Sequence, residues 1–258
     1  MSFSLYYFVM ENQSFIITWG GSHLWKSLVK YFADKWCKLL VTSHWNYEEL
    51  KDMESENIVY MPWLDLTNDG HLDSLYNKAK EFMWNEKFNV LNCVGWFPDY
   101  KITCDINVSE AKRVLDSNVL CVFSVANRLI PLMCENWWWH FVWFSMHTTY
   151  QNYPKMAIFS ASKVALEAFI KWLSNEYYKY GVNANIISLS TLKTDIELKM
   201  KPQWDYENWL MPDEVCRIVD TLIWTTDGLV NGSVIHAYKH SDTYFGQSYY
   251  DRINTVNS

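Results

Sequence analysis

Lys163 is the residue around which chemistry could be built in this 258-residue chain. It stands one helical turn after Phe159 in a run whose spacing predicts a helix from about Met156 to Tyr180, so the two side chains would be neighbours on its surface. A lysine beside a phenol lowers the phenol's pKa and turns it into a useful proton donor. Position 159 holds a phenyl ring, which has no proton to give or take. Asn118 and Ser145 are further polar candidates: a carboxamide that could bond a backbone carbonyl, and a hydroxyl at a strand end. Tyr150, Tyr153 and His147 precede the helix and could either reach the same cleft or simply pack. Near the N-terminus, Thr18-Trp19-Gly20-Gly21-Ser22 leads into a helical pattern whose free N–H groups would suit an anion.

These residues sit at the ends of alternating strands and helices. Apolar runs at 14–18, 38–43, 57–62, 88–93, 140–145, 183–189 and 232–238 read as strands. Helical patterns fall at about 24–32, 47–53, 71–85, 109–134 and 156–180, and a loop with short helices fills 192–225. The strands are nearly continuous apolar runs, as expected when helices cover both faces of a parallel sheet. The fold class is α/β, a doubly wound parallel sheet in a single domain over 1–258. Residues 1–12 would be an N-terminal extension and 192–225 a substrate-loop region. Any ligand would lie at the carboxyl ends of the strands.

Composition narrows the partners. Half the residues are hydrophobic and the formal net charge is −7, which supports a full core and leaves no basic footprint for nucleic acid. The six cysteines show neither CxxC pairs nor metal-like spacing with histidine, so no metal is expected and they read as buried thiols of a reducing compartment. No signal peptide and no membrane-spanning run is read, which predicts a cytoplasmic protein. Tryptophan occurs 15 times and glycine only 8 times, unusual where tight turns normally need glycine.

The run YPKMAIFSASKVALEAFIKWLSNEY resembles the active-site helix of the short-chain dehydrogenase/reductase family, whose members carry Tyr-x-x-x-Lys there. The resemblance extends from about Phe15 to Tyr238 and implies a Rossmann-like sheet of order 3-2-1-4-5-6-7. By that resemblance, Asn118 and Lys163 match the family's proton-relay asparagine and lysine. Met146 falls on the catalytic serine, with Ser145 beside it, and Phe159 falls on the tyrosine. The family's phosphate-loop glycines fall on Trp19, His23 and Trp25. The indole at the third position, Trp25, should push the helix off the sheet or fill the phosphate site. Thr18, Gly20, Gly21 and Ser22 remain as candidate phosphate-side contacts, Asp65 and Leu66 as the adenine-contacting pair, and Asn92 and Gly95 as remnants of Asn-Asn-Ala-Gly. Thr194 matches the carboxamide contact, although the preceding Pro-Gly has become Leu189-Ser190. Ser43, His44 and Trp45 at the end of the second strand encode no preference between NAD and NADP.

The loss of both donors, where proton donation typically contributes on the order of 10²–10⁴-fold to a rate, predicts a protein that has lost ordinary oxidoreductase activity and acts by binding, with no cofactor expected. The alternative is an NAD(P)-dependent enzyme with a rearranged site built from Ser145, a loop tyrosine and Lys163. A third is a Trp-rich cleft for a sugar or aromatic metabolite. Family resemblance also implies a homodimer or homotetramer through helices 109–134 and 156–180, the latter presenting Val164, Ala168, Phe169 and Trp172. Trp137-Trp138-Trp139 reads either as a partner surface or as buried packing.

Overall fold

Parallel pairing organises the molecule. In a computed structural model, which describes residues 13–18, 24–45, 47–83, 86–135, 139–150, 153–200, 209–226 and 228–238, seven strands form one sheet in the order β3-β2-β1-β4-β5-β6-β7. The strands are β1 Ser14–Thr18, β2 Lys38–Thr42, β3 Ile58–Met61, β4 Phe88–Asn92, β5 Trp139–Met146, β6 Val182–Leu189 and β7 Val234–Ala237. All neighbouring pairs are parallel, and the expected sheet order is observed.

Helices cover both faces. They are α1 Leu24–Ala33, α2 Glu48–Lys51, α3 Asp69–Phe82, α4 Val108–Leu115, α5 Cys121–Cys134, α6 Ala157–Tyr177, α7 Asp195–Met200 and α8 Pro212–Thr225. Alternate strand residues feed two cores, because successive side chains on a strand point to opposite faces. Phe15, Ile17, Leu39, Val41 and Leu91 join α1 and α8 in one core, while Ile16, Leu40, Val90, Phe141 and Trp143 join α3, α5 and α6 in the other. The Phe15 ring stacks on Phe32 of α1 at 4.2 Å. Trp25 is buried in the same core and its ring lies 5.2 Å from Tyr47. The Trp25 indole therefore does not lift the helix from the sheet: it becomes part of the packing beneath it.

Local signals set the helix ends. Asn68 and Asn107 accept the backbone N–H groups of His71 and Glu110 at the starts of α3 and α4, the usual work of an N-cap carboxamide. Pro212 opens α8, where its missing N–H is no loss. The helix Asp195–Met200 is short, but α8 runs for 14 residues, so the described part of 192–225 is more regular than its sequence suggested.

The predicted 109–134 helix is interrupted. Between α4 and α5, Asp116–Leu120 forms a π turn that contains Asn118. Such insertions are rare and often mark functional sites. By length and composition Val108–Cys134 could cross a membrane, although the sequence showed no continuous apolar run of that length; half of its apolar window is buried inside the protein, as for a core helix. Of the tryptophan triplet, Trp139 is buried and stacks on Phe88 at 5.7 Å; Trp137 and Trp138 lie outside the described residues, as do 1–12.

Candidate active site at the carboxyl end of the sheet

Lys163 and Asn118 meet beneath Gly95. Lys163 projects from the second turn of α6 and is only 6% exposed. Its Nζ donates to the Phe144 carbonyl at 3.1 Å. Burial pushes the ammonium pKa down to about 8, with the negative charge of Glu167 partly opposing the fall. Asn118 is fully buried: its Oδ1 accepts Trp96 N–H at 2.8 Å, and its Nδ2 donates to the Trp96 carbonyl at 3.0 Å and to Ser162 Oγ at 3.1 Å. The carboxamide is thus held at both ends, and of its two readings the structure shows the bond to a backbone carbonyl. A Cβ on Gly95 would stand 3.1 Å from Asn118 Oδ1 and 3.2 Å from Lys163 Nζ. The glycine is what lets this strand end approach both groups.

Met146 and Phe159 belong to a small apolar cluster with Tyr153, Met156, Trp96, Phe97 and Tyr100. Phe97 meets Phe159 edge to face at 5.0 Å and Tyr100 at 5.0 Å, leaving Phe159 only 3% exposed. The loop carrying Phe97 is clipped to the segment before α6 by Lys101 N–H donating to the Lys155 carbonyl at 3.1 Å. Asp99 and Lys155 both take positive φ there, 113° and 65°, a conformation that non-glycine residues adopt at a cost. Where the phenol would stand, aromatic edges now close the surface. Tyr153 is the loop tyrosine that reaches this cluster, with the His147 ring 5.3 Å away.

Ser145 looks elsewhere. Its Oγ donates to Glu167 Oε1 at 2.7 Å, and Thr149 Oγ1 donates to the same oxygen at 3.0 Å. Tyr150 OH donates to Glu167 Oε2 at 3.3 Å while its ring stands edge-on to His236 at 4.3 Å. Burial, then the Glu167 charge, raises the Tyr150 phenol to about 12. Glu167 is therefore a buried acceptor for three hydroxyls, one helical turn beyond Lys163. The sequence signal for it was available, since an acid one turn after a lysine on a helix shares its face.

The residues expected on the cofactor side fall partly among the described ones. Thr18 Oγ1 donates to Asn92 Oδ1 at 2.6 Å, tying the ends of β1 and β4, and Asn92 Nδ2 is buried without a hydrogen-bond partner among the described residues. Asp65 takes two hydrogen bonds on Oδ1, from Thr67 N–H at 2.9 Å and Thr67 Oγ1 at 2.6 Å. Burial pulls its carboxyl pKa up, but those bonds and the nearby histidines His44 and His71 leave it below the usual range. Leu66 is buried in the α3 core. Thr194 is buried just before α7, and its hydroxyl accepts Glu197 N–H at 3.3 Å, capping that helix. Gly20, Gly21 and Ser22 lie outside the described residues, together with Trp19 and His23. The orphan amide of Asn92, the glycine-wide approach at Gly95 and the buried ammonium of Lys163 fit a polar ligand laid over the strand ends.

A family profile described as enoyl-(acyl carrier protein) reductase matches residues 27–236. The chain belongs to the short-chain dehydrogenase/reductase family. A curated relative, an uncharacterized oxidoreductase of Staphylococcus aureus (strain USA300), is 24% identical over 197 residues, covering 75% of this chain and 84% of that protein. Among solved structures, a short-chain type dehydrogenase/reductase from Mycobacterium ulcerans superposes with a TM-score of 0.79 at 17% identity, covering 88% of each chain. A tyrosine-to-phenylalanine variant of ElxO with NADPH bound gives a TM-score of 0.77 at 17% identity, covering 87% of this chain and 96% of that one. In this member of the family Lys163 and Asn118 both approach Gly95, and Phe159 and Met146 belong to the apolar cluster.

Proposed function

We propose that this family member binds a nicotinamide dinucleotide over the carboxyl ends of β1, β4, β5 and β6 and works as an oxidoreductase whose substrate oxygen is not served from positions 146 and 159. The buried Lys163 carries the reading. An ammonium withdrawn from water is expensive unless its donors are met. Its N–H donors have one carbonyl as hydrogen-bond acceptor among the described residues, which suits hydroxyls brought by a ligand. Thr18, Asn92 and Gly95 would line the dinucleotide, Asp65 and Leu66 its adenosine end, and Thr194 its carboxamide; the cofactor when bound would supply or take up hydride. Tyr153 brings a phenol into the cluster around Phe159 and is the proton source we assign in place of the missing tyrosine. That ElxO with a tyrosine-to-phenylalanine substitution holds NADPH supports the view that such a loss need not abolish cofactor binding.

A second reading, binding without turnover, is favoured by the Phe97–Phe159 contact that closes the surface. Isothermal titration with NADH and NADPH, followed by a carbonyl-substrate screen, separates the two. No binding of either cofactor refutes the first reading; binding without oxidation of the reduced cofactor selects the second. Under the first, Tyr153→Phe lowers turnover and leaves cofactor affinity unchanged. Two wider features complete the proposal. Leu120, Phe123, Val164 and Trp172 are exposed on α5, α6 and the turn before α5, an apolar face suited to a second copy of this chain. Free thiols at Cys37, Cys93, Cys121 and Cys216, all buried, suit a reducing, cytoplasmic setting.

A further inference from the structure

The end of β5 is gripped by two opposite charges from one face of α6. Lys163 and Glu167 stand one helical turn apart, 6% and 7% exposed, and they take consecutive residues of the strand. The Lys163 ammonium donates to the Phe144 carbonyl at 3.1 Å, and Glu167 Oε1 accepts the Ser145 hydroxyl at 2.7 Å. Past the strand end, Thr149 Oγ1 reaches the same carboxylate oxygen at 3.0 Å and Tyr150 OH reaches the other at 3.3 Å. A buried ion is costly unless it is hydrogen-bonded and opposed by a countercharge. The carboxylate has three hydroxyl donors; the ammonium has a carbonyl and, one turn along the helix, a negative charge fixed against the same strand.

The groups around the pair separate the two ions' roles. Gly95 after β4 and the Phe144 carbonyl of β5 approach the ammonium, and the Phe159 ring centre lies 5.8 Å from it; all of these are neutral. Around the carboxylate, β5 brings Ser145, the turn after it brings Thr149 and Tyr150, and β7 brings His236, whose ring meets Tyr150 at 4.3 Å. Tyr238 also acts on the Tyr150 phenol. The charge of Glu167 is felt on both sides: burial raises Tyr150 and Glu167 adds to the rise, while burial lowers Lys163 and Glu167 opposes the fall. We propose that Glu167 is a positioning residue for the cofactor, acting through Lys163 as the countercharge that keeps the ammonium protonated where the hydroxyls of a bound dinucleotide would meet it. The inference rests on the cofactor reading above.

The test compares the natural chain with Glu167→Gln, Glu167→Asp, Lys163→Met and the combination of Glu167→Gln with Lys163→Met. NADH affinity is followed by calorimetry between about pH 6.5 and pH 9, and urea unfolding without cofactor over the same range. In the natural chain NADH affinity should fall above pH 8, where the ammonium deprotonates. Removing the negative charge disfavours the ammonium, so in Glu167→Gln the fall should begin at lower pH. That variant should match the natural chain at about pH 6.5 and bind about threefold or more weakly at about pH 8.5, the effect of about half a pH unit. Glu167→Asp, which keeps the charge, should keep the natural profile. Without cofactor, the penalty added by Glu167→Gln is present while the folded lysine is charged and gone once it is neutral. Its unfolding constant should therefore exceed the natural one by about threefold more at pH 6.5 than at pH 9. Both pH dependences should vanish when Lys163→Met is combined with Glu167→Gln.

A Glu167→Gln effect that is the same at every pH, or that persists with Lys163 replaced, would make the carboxylate a clasp for the turn alone and overturns the proposal. A flat NADH profile in the natural chain also overturns it and leaves the cofactor reading standing. The expected unfolding difference with no NADH binding to any chain overturns the cofactor reading, and the positioning role with it. If Glu167→Gln does not fold, Glu167→Asp decides: a natural profile upholds the proposal, and one displaced to lower pH although the charge is kept overturns it.

Discussion

Replacing Lys163 by methionine should make the protein more stable at neutral pH, and the gain should vanish in alkali. The unfolded lysine titrates near 10.5 and the folded one at about 8, chiefly through burial. Between those values the unfolded chain binds more protons than the folded one, so stability rises with pH. Below pH 8 the whole penalty is present; above 10.5 it has gone. The gap corresponds to about 3 kcal/mol at pH 7 and about 1 kcal/mol at pH 9.5. Methionine also removes the donor to the Phe144 carbonyl, a hydrogen bond worth about 1 kcal/mol at any pH, so the net gain at pH 7 is about 2 kcal/mol. Other groups titrate in the same range: burial raises the thiols of Cys37, Cys121 and Cys216 from 9.0 to about 12. They contribute stability that is lost as pH rises from 9 to 12. Because both proteins carry them, they cancel in the difference. Urea unfolding of both proteins at pH 7 and pH 9.5 should show the variant's advantage shrinking by about 2 kcal/mol. An advantage that stays constant across that range would mean that Lys163 is not a desolvated ammonium, and the reading of it as a group waiting for a ligand would fall.

Restoring both hydroxyls with Phe159→Tyr and Met146→Ser should raise hydride transfer to a carbonyl substrate by on the order of 10²–10⁴-fold, read as loss of reduced-cofactor absorbance; an unchanged rate would show that the Phe97 loop, not the missing protons, limits the reaction. Charging the exposed helix face with Leu120→Lys and Trp172→Glu should convert a dimer to a monomer in sedimentation velocity, each lost apolar anchor weakening association by about 2 kcal/mol or more. A chain that is monomeric before substitution would refute the dimer.

Much of this molecule was legible before any coordinates. Continuous apolar runs announced a doubly covered parallel sheet because burial on both faces leaves no polar alternation to see. The spacing of Phe159 and Lys163 announced one helical face, and Asn118 and Gly95 were singled out by the family resemblance of the runs that carry them. What the sequence could not decide were contacts between segments distant along it. Ser145 and Met146 are adjacent and both plausible donors' places, but the strand pleat turns them to opposite sides; only the packed α6 shows Glu167 taking the serine. Trp25 reads as an obstruction in one dimension and is core packing in three, because the space beneath α1 is defined by Phe15, Phe32 and Tyr47 together. The π turn at Asn118 and the Phe97 seal over Phe159 likewise depend on where separate loops arrive. Local periodicity determines which elements form; the direction of a side chain at the end of one is determined by what the others leave room for.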